Sequence, residues 1–195
     1  MATTDTDVAN IALKMVGAPS ITSLDQGTPE ADSINEVYST VRDAAFQDHN
    51  WNFATKRVIP SKDSSTPVYG FAYQFDKPAD YIKLVEIEDD PEYKIEGSYI
   101  LCDQDPIKIS YVYRNTSVVT WSPLFVMYFA LLLASTVAED LTQSSTLAEK
   151  LETKAEKLLQ KARFADATED DPEDITADLW IDSRIAGTLP QSGDL

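Results

Sequence analysis

The chain has 195 residues, 43% of them hydrophobic, with 16 Lys plus Arg against 33 Asp plus Glu and a net charge of −17. That length fits one domain with appendages or two small ones, and the apolar share is enough for a core, which excludes global disorder. Such a charge balance repels phosphate, so gripping DNA through clustered Lys and Arg is excluded as the main task.

The first ten residues, "MATTDTDVAN", are polar and acidic and lack the apolar stretch of a signal peptide. Residues 6–16 then read as a short helix with Val8, Ile11, Ala12 and Met15 on one face, stopped by Gly17 and Pro19. After a loop of Ser, Thr, Asp and Gly, Thr28 offers an N-cap and Pro29 a preset first turn. Ile34, Val37, Tyr38, Val41 and Ala45 follow at three- and four-residue spacing, which predicts an amphipathic helix to about residue 49.

From Trp51 to Tyr113 the period changes. "RVIPS", "YGFAYQFDKP", "DYIKLVEIED", "EYKIEG", "SYILCD" and "IKISYVYRN" alternate or cluster β-branched and aromatic residues between Pro, Gly and Asp breaks. They predict short antiparallel strands, a hairpin around Glu96 and Gly97, and a small β-domain or half-barrel inserted between helices. Ser122 and Pro123 restart helix with a cap and a first-turn proline. "PLFVMYFALLLASTVAEDLTQ" is apolar on nearly every side, and a second helix carries Leu147, Leu151, Ala155, Leu158 and Ala162 on one stripe. The two make a helical hairpin turning near 143–145.

The segment 118–138 carries no charge and has the length of a membrane span. Ser and Thr dilute it, basic anchors are lacking, and a helix cap falls inside it, so the buried helix of a bundle is the better reading. The predicted class is therefore α+β: an antiparallel bundle of about four helices from 1–50 and 115–165, a β-domain at 51–114, and an extended tail at 166–195. That tail holds nine acidic residues against Arg184 alone, yet embeds Ile175, Leu179, Trp180, Ile181 and Ile185. Apolar groups in such a setting suit a segment that folds onto a partner, with Trp180 as anchor. The competing reading docks Trp180 on the chain's own bundle.

Candidate chemistry is sparse. "HNWNFATKR", residues 49–57, contains the sole histidine, but His49 has no nucleophile with an orienting group beside it in sequence. Cys102, the sole cysteine, rules out an intramolecular disulfide or multi-thiolate metal site and reads as a buried thiol on a strand. The acidic run at 86–92 lacks the glycine-bearing, every-second-residue loop that hard cations favour. No glycine-rich phosphate loop or nucleophile elbow occurs, and Lys56 with Arg57 are too few for a nucleic-acid patch. No catalytic residue, metal or cofactor is therefore expected, and a hydrolase using His49 stands only as an alternative. Trp51 and Phe53, on one face if 51–54 is extended, suit a corner that locks two elements.

"NIALKMVGAPSITSLDQGTPEADSINEVYSTVRDAAFQDHNWNFATKR" and "YRNTSVVTWSPLFVMYFALLLASTVAEDLT" carry a resemblance. The features are an Asn-x-x-Leu helix, Gly then Ile-x-Ser-Leu, a helical Arg42, Trp-Asn-Phe-Ala with Trp51 and Phe53, an aromatic-Arg strand end, and Trp121-x-Pro123-x-Phe before a long apolar helix. In that order they resemble the head-to-tail adaptors of short-tailed bacteriophages, the tail tubular protein A family. The likeness covers most of the chain and is weaker from about 60 to 105. It implies a homo-oligomeric ring in the virion, typically of twelve copies. Such a ring would join the portal protein to the tail nozzle, with a tail fibre as a further neighbour. Its lumen would pass DNA without specific binding, and no membrane would be involved. The tail would then meet the portal or a neighbouring subunit.

Overall fold

The computed structural model describes residues 4–169. The tail residues Ile175, Leu179, Trp180, Ile181 and Ile185 lie outside the described residues. Over the described residues the architecture is α+β: four α-helices and two antiparallel sheets of three strands each.

Local chemistry sets the helix ends. Helix α1, Asp5–Val16, begins with a capping box: Asp7 N–H donates to Thr4 Oγ1 at 3.1 Å while Thr4 N–H donates to Asp7 Oδ2 at 2.9 Å. It ends at Gly17, whose φ of 78° is left-handed and suits a residue without Cβ. The buried face is Val8, Ala9, Ala12, Leu13 and Val16, rotated from the predicted one, because Ile11 and Met15 lie at its margin. Helix α2, Pro29–Gln47, starts as predicted on Thr28 and Pro29. Helix α3, Pro123–Thr142, starts on Ser122, whose hydroxyl accepts from Phe125 N–H at 3.3 Å. Gln143 is left-handed and Ser144 caps helix α4, Ser145–Ala167, so the hairpin turns where expected.

Helix α3 packs against α1, α2 and α4, which makes it the central helix of the bundle. By length and composition alone it would span a membrane, but half of its most apolar window is buried in the fold. The uncharged run is also broken, because residues 118–120 form a separate 3-10 turn.

The strands are β1 (Thr55–Val58), β2 (Tyr73–Asp76), β3 (Tyr81–Ile87), β4 (Tyr93–Glu96), β5 (Tyr99–Cys102) and β6 (Ile109–Tyr113). They pair as β1-β6-β3 and β2-β5-β4, two stacked sheets rather than a half-barrel. In the β4-β5 hairpin Glu96 faces Tyr99, and Gly97 takes a φ of 54° that the tight turn requires. Register shifts in β3 between Tyr81 and Lys83 and between Leu84 and Glu86 break strict alternation. As a result Ile82 and Val85 face the helices while Tyr81, Leu84 and Ile87 face the second sheet. Strand β6 is shared in the same way: Val112 belongs to the helical core, and Ile109 and Tyr111 to the inter-sheet core with Phe75, Ile100 and Cys102. The first sheet is thus the middle layer.

Candidate functional site

The opening "HNWNFATKR" lies where α2 hands the chain to β1. Residues 52–54 are not extended; they form a 3-10 turn, with Ala54 N–H donating to Trp51 carbonyl at 2.9 Å. The turn still brings Trp51 and Phe53 together, with ring centroids 5.9 Å apart. Both pack on Phe125 of α3, at 4.9 and 5.0 Å. Trp121 meets the same ring edge-on at 5.2 Å, and Phe46 stacks on it at 5.1 Å. Trp51 is 0% exposed and Trp121 5%.

Buried indole N–H groups need acceptors, and both find backbone. Trp51 Nε1 donates to the Ala45 carbonyl at 3.0 Å, and Trp121 Nε1 to the Asn115 carbonyl at 3.2 Å. Asn115, buried, extends the lock: its amide donates to the Phe53 carbonyl at 3.2 Å and to Thr120 Oγ1 at 2.8 Å. Three chain passages, around 46, 52 and 121, are therefore fixed at one point. Pro123 contributes by preparing the first turn of α3.

A fourth passage comes from α4. Asp166, expected as the first residue of the tail, is instead a buried residue of the last helical turn. Its carboxylate accepts from Asn52 N–H at 3.3 and 3.2 Å and lies 3.2 Å from His49 Nε2. The Asn52 amide donates to the Asp166 carbonyl at 3.0 Å. Close by, Arg163 donates to the Asp48 carbonyl and the Tyr128 hydroxyl to the Asp48 carboxylate. Burial, then that hydrogen bond, raises the Tyr128 pKa far above its usual value, so the phenol stays a donor.

His49 packs edge-on against Trp51 at 4.9 Å and turns Nε2 to Asp166. These contacts clasp the chain just after α2 to the last turn of α4. Burial lowers the His49 pKa, outweighing the opposing pull of Asp166, and burial likewise raises Asp166. A depressed histidine stabilises fully above its unfolded pKa of about 6.5, and that contribution is lost as pH falls through its folded value. Asp166 has the opposite sign, its charge costing stability as pH rises through its raised value, and it is present in both proteins compared. His49→Gln should therefore lose less stability than wild type on acidification from about pH 7 to 5. Melting curves across that range that run parallel for the two proteins would reject the clasp.

Arg42 does not join the aromatic cluster. It donates to Asp43 Oδ1 at 3.1 Å, and Arg114, at the end of β6, reaches Asp43 Oδ2 at 2.7 Å. Lys56 is likewise engaged, 2.8 Å from Asp80 and 3.7 Å from the Tyr113 ring centre. Burial opposes ionisation of Asp80, but hydrogen bonds from Lys56 and Tyr111 prevail and hold its pKa below the usual range. Tyr111 is pushed up to about 12, mainly by burial.

Cys102 is wholly buried in the inter-sheet core. The run 86–92 ends β3 and turns through left-handed Asp89 and Asp90, with Glu88 paired to Lys108 at 2.6 Å. Among the described residues no three His, Cys, Asp or Glu side chains converge to hold a metal ion. Two surface grooves lie on the β-layers, of about 440 Å³ beside Val68, Tyr69 and Lys94 and about 780 Å³ beside Arg57, Ile59 and Asp90.

Sequence reasoning missed Phe46, Asn115, Asp48 and Asp166. Phe46 had a signal, lying one position past Ala45 on the apolar face of α2. Asp48 and Asp166 had none, since their partners are distant in sequence, and the same holds for the bond from Asn115 to Phe53.

The fold and junction define an α+β class: a helical bundle locked by an aromatic corner to layered sheets. No protein-family model matches this chain, and no curated protein matches it in sequence.

Proposed function

We propose that the protein is a structural adaptor of a phage virion, a homo-oligomeric ring joining the capsid portal to the tail nozzle and passing the genome through its lumen. One observation carries this reading. Trp51 and Phe53 from one resembling stretch meet Trp121 and the phenylalanine Phe125 from the other in a single buried cluster. Residues that carry the likeness thus meet at the corner where the bundle joins the sheets, which supports reading them as parts of one packing device. Support of the same kind comes from the loop at 10–24, where Asn10 and Ile21 exchange hydrogen bonds of 2.9 and 2.8 Å. Those two residues open the Asn-x-x-Leu and Ile-x-Ser-Leu patterns.

The net charge of −17 suits a conduit for DNA, because like charge keeps a polyanion from sticking to the wall. An adaptor must also offer faces to unlike partners above and below. Exposed apolar residues in the loop between β1 and β2, including Val68 at 98% and Tyr69 at 84%, provide such contact material.

The test is negative-stain microscopy of the purified protein mixed with its portal. Closed rings seated on the portal are expected. Single copies scattered on the portal, or no binding at all, would overturn the adaptor reading.

A further inference from the structure

Helix α4 segregates its charges. Lys150, Lys154, Lys157 and Lys161 recur at four- and three-residue steps, all exposed, and Phe164 continues the same stripe at 73% exposure. Glu149, Glu152 and Glu156 form a separate exposed stripe. Every neighbouring pair at i,i+3 or i,i+4 within each set is of like sign, an arrangement that weakens a helix facing only water. The ion pairs among the described residues involve none of the four lysines. In a chain of net charge −17 this is a concentrated line of positive charge ending in an exposed aromatic.

We propose that the stripe receives this chain's own acidic C-terminal segment, residues 170–185. The segment has the complementary character. Asp170, Asp171, Glu173, Asp174, Asp178 and Asp182 supply the charge, and Leu179 with Trp180 supply apolar surface for Phe164. It also begins at the right place, because the described chain ends at residue 169, one turn past Phe164. The lysines span about 16 Å at 1.5 Å per residue. The 26 residues after 169 can extend to roughly 85 Å, so a return along the helix is well within reach. Tethering makes the contact intramolecular, which lets individually weak exposed pairs act together. This docking takes the tail onto the chain's own bundle rather than onto the portal or a neighbouring subunit, and it holds or fails whether or not the protein forms a ring.

The test uses the full chain and reads Trp180. Trp51 and Trp121 are buried, and Trp180→Phe supplies the difference spectrum. At low salt Trp180 should be shielded from acrylamide severalfold better than in the variant Lys154→Glu/Lys157→Glu/Lys161→Glu, with unchanged circular dichroism. The milder Lys→Gln triple variant should give an intermediate loss. About 1 M NaCl should release Trp180 in the wild type, since screening then acts within about 3 Å. Adding Asp174→Lys/Asp178→Lys/Asp182→Lys to the glutamate variant should restore the shielding. Equal quenching of wild type and the glutamate variant would overturn the proposal. So would shielding that disappears on dilution, which places the segment on a second copy. Loss of double-stranded DNA binding in the glutamate variant with Trp180 unaffected would assign the stripe to a polyanion instead.

Discussion

Replacing Trp51 by alanine should lower the folding stability by about 3–5 kcal/mol, the range for removing a large buried aromatic. The side chain is 0% exposed and sits among His49, Phe53, Phe125 and Tyr128, all with ring centroids within 6.4 Å. A buried tryptophan removes 150–250 Å² from water, and edge-on aromatic pairs add about 0.5–1.5 kcal/mol beyond that area. The Ala45 carbonyl would also lose its indole donor. Because rigid elements line the cavity on several sides, little collapse is available to soften the cost. Trp51→Phe should fall between wild type and Trp51→Ala, and His49→Ala should cost far less and leave assembly intact. Denaturant titration decides. A Trp51→Ala midpoint like that of wild type, with assembly abolished by His49→Ala, would show that the corner is not a packing device.

What could be read from the sequence was local. Thr28-Pro29 and Ser122-Pro123 announce helix starts because a side-chain oxygen and a fixed φ act within one turn, and both starts are where they were expected. The six strand segments were legible for the same reason, as runs of β-branched and aromatic residues between breakers. Pairing was not legible. Strand β1 joins β6 through residues such as Thr55 and Val112, and no short-range pattern encodes that choice. Nor could the facing of β3 be read, since register shifts replace the alternation on which a strand's two faces are inferred. At the candidate site the aromatic corner was legible as a corner, but its geometry was not. A tight turn, rather than an extended segment, brings Trp51 beside Phe53. Asp166 shows the limit most clearly. Its composition context is an acidic tail, while its bonding partner Asn52 is 114 positions away.

The stripe on α4 gives the second large effect. Leu151 is 2% exposed in the helical core, so Leu151→Asp loses the buried aliphatic group and leaves a carboxylate without a partner. An uncompensated buried charge costs about 3–5 kcal/mol, and large-to-small loss of a core leucine adds about 2–5 kcal/mol. Together these rival the whole stability of a typical domain, about 5–15 kcal/mol, so the variant should be largely unfolded at neutral pH. Leu158 is only partly buried, which lets an aspartate there turn toward water, and Leu158→Asp should fall between the extremes. Lys150 and Lys157 are exposed, and Lys→Asp at either should leave the melting curve nearly unchanged. Burial disfavours the charged form of a carboxyl, so acidification to about pH 4 should recover part of the Leu151→Asp fold while leaving Leu151→Asn unaffected. Circular dichroism melts of all five variants make the comparison. Equal tolerance at the four positions would mean that α4 does not present Leu151 to α3, and the packing of the helical hairpin would have to be redrawn.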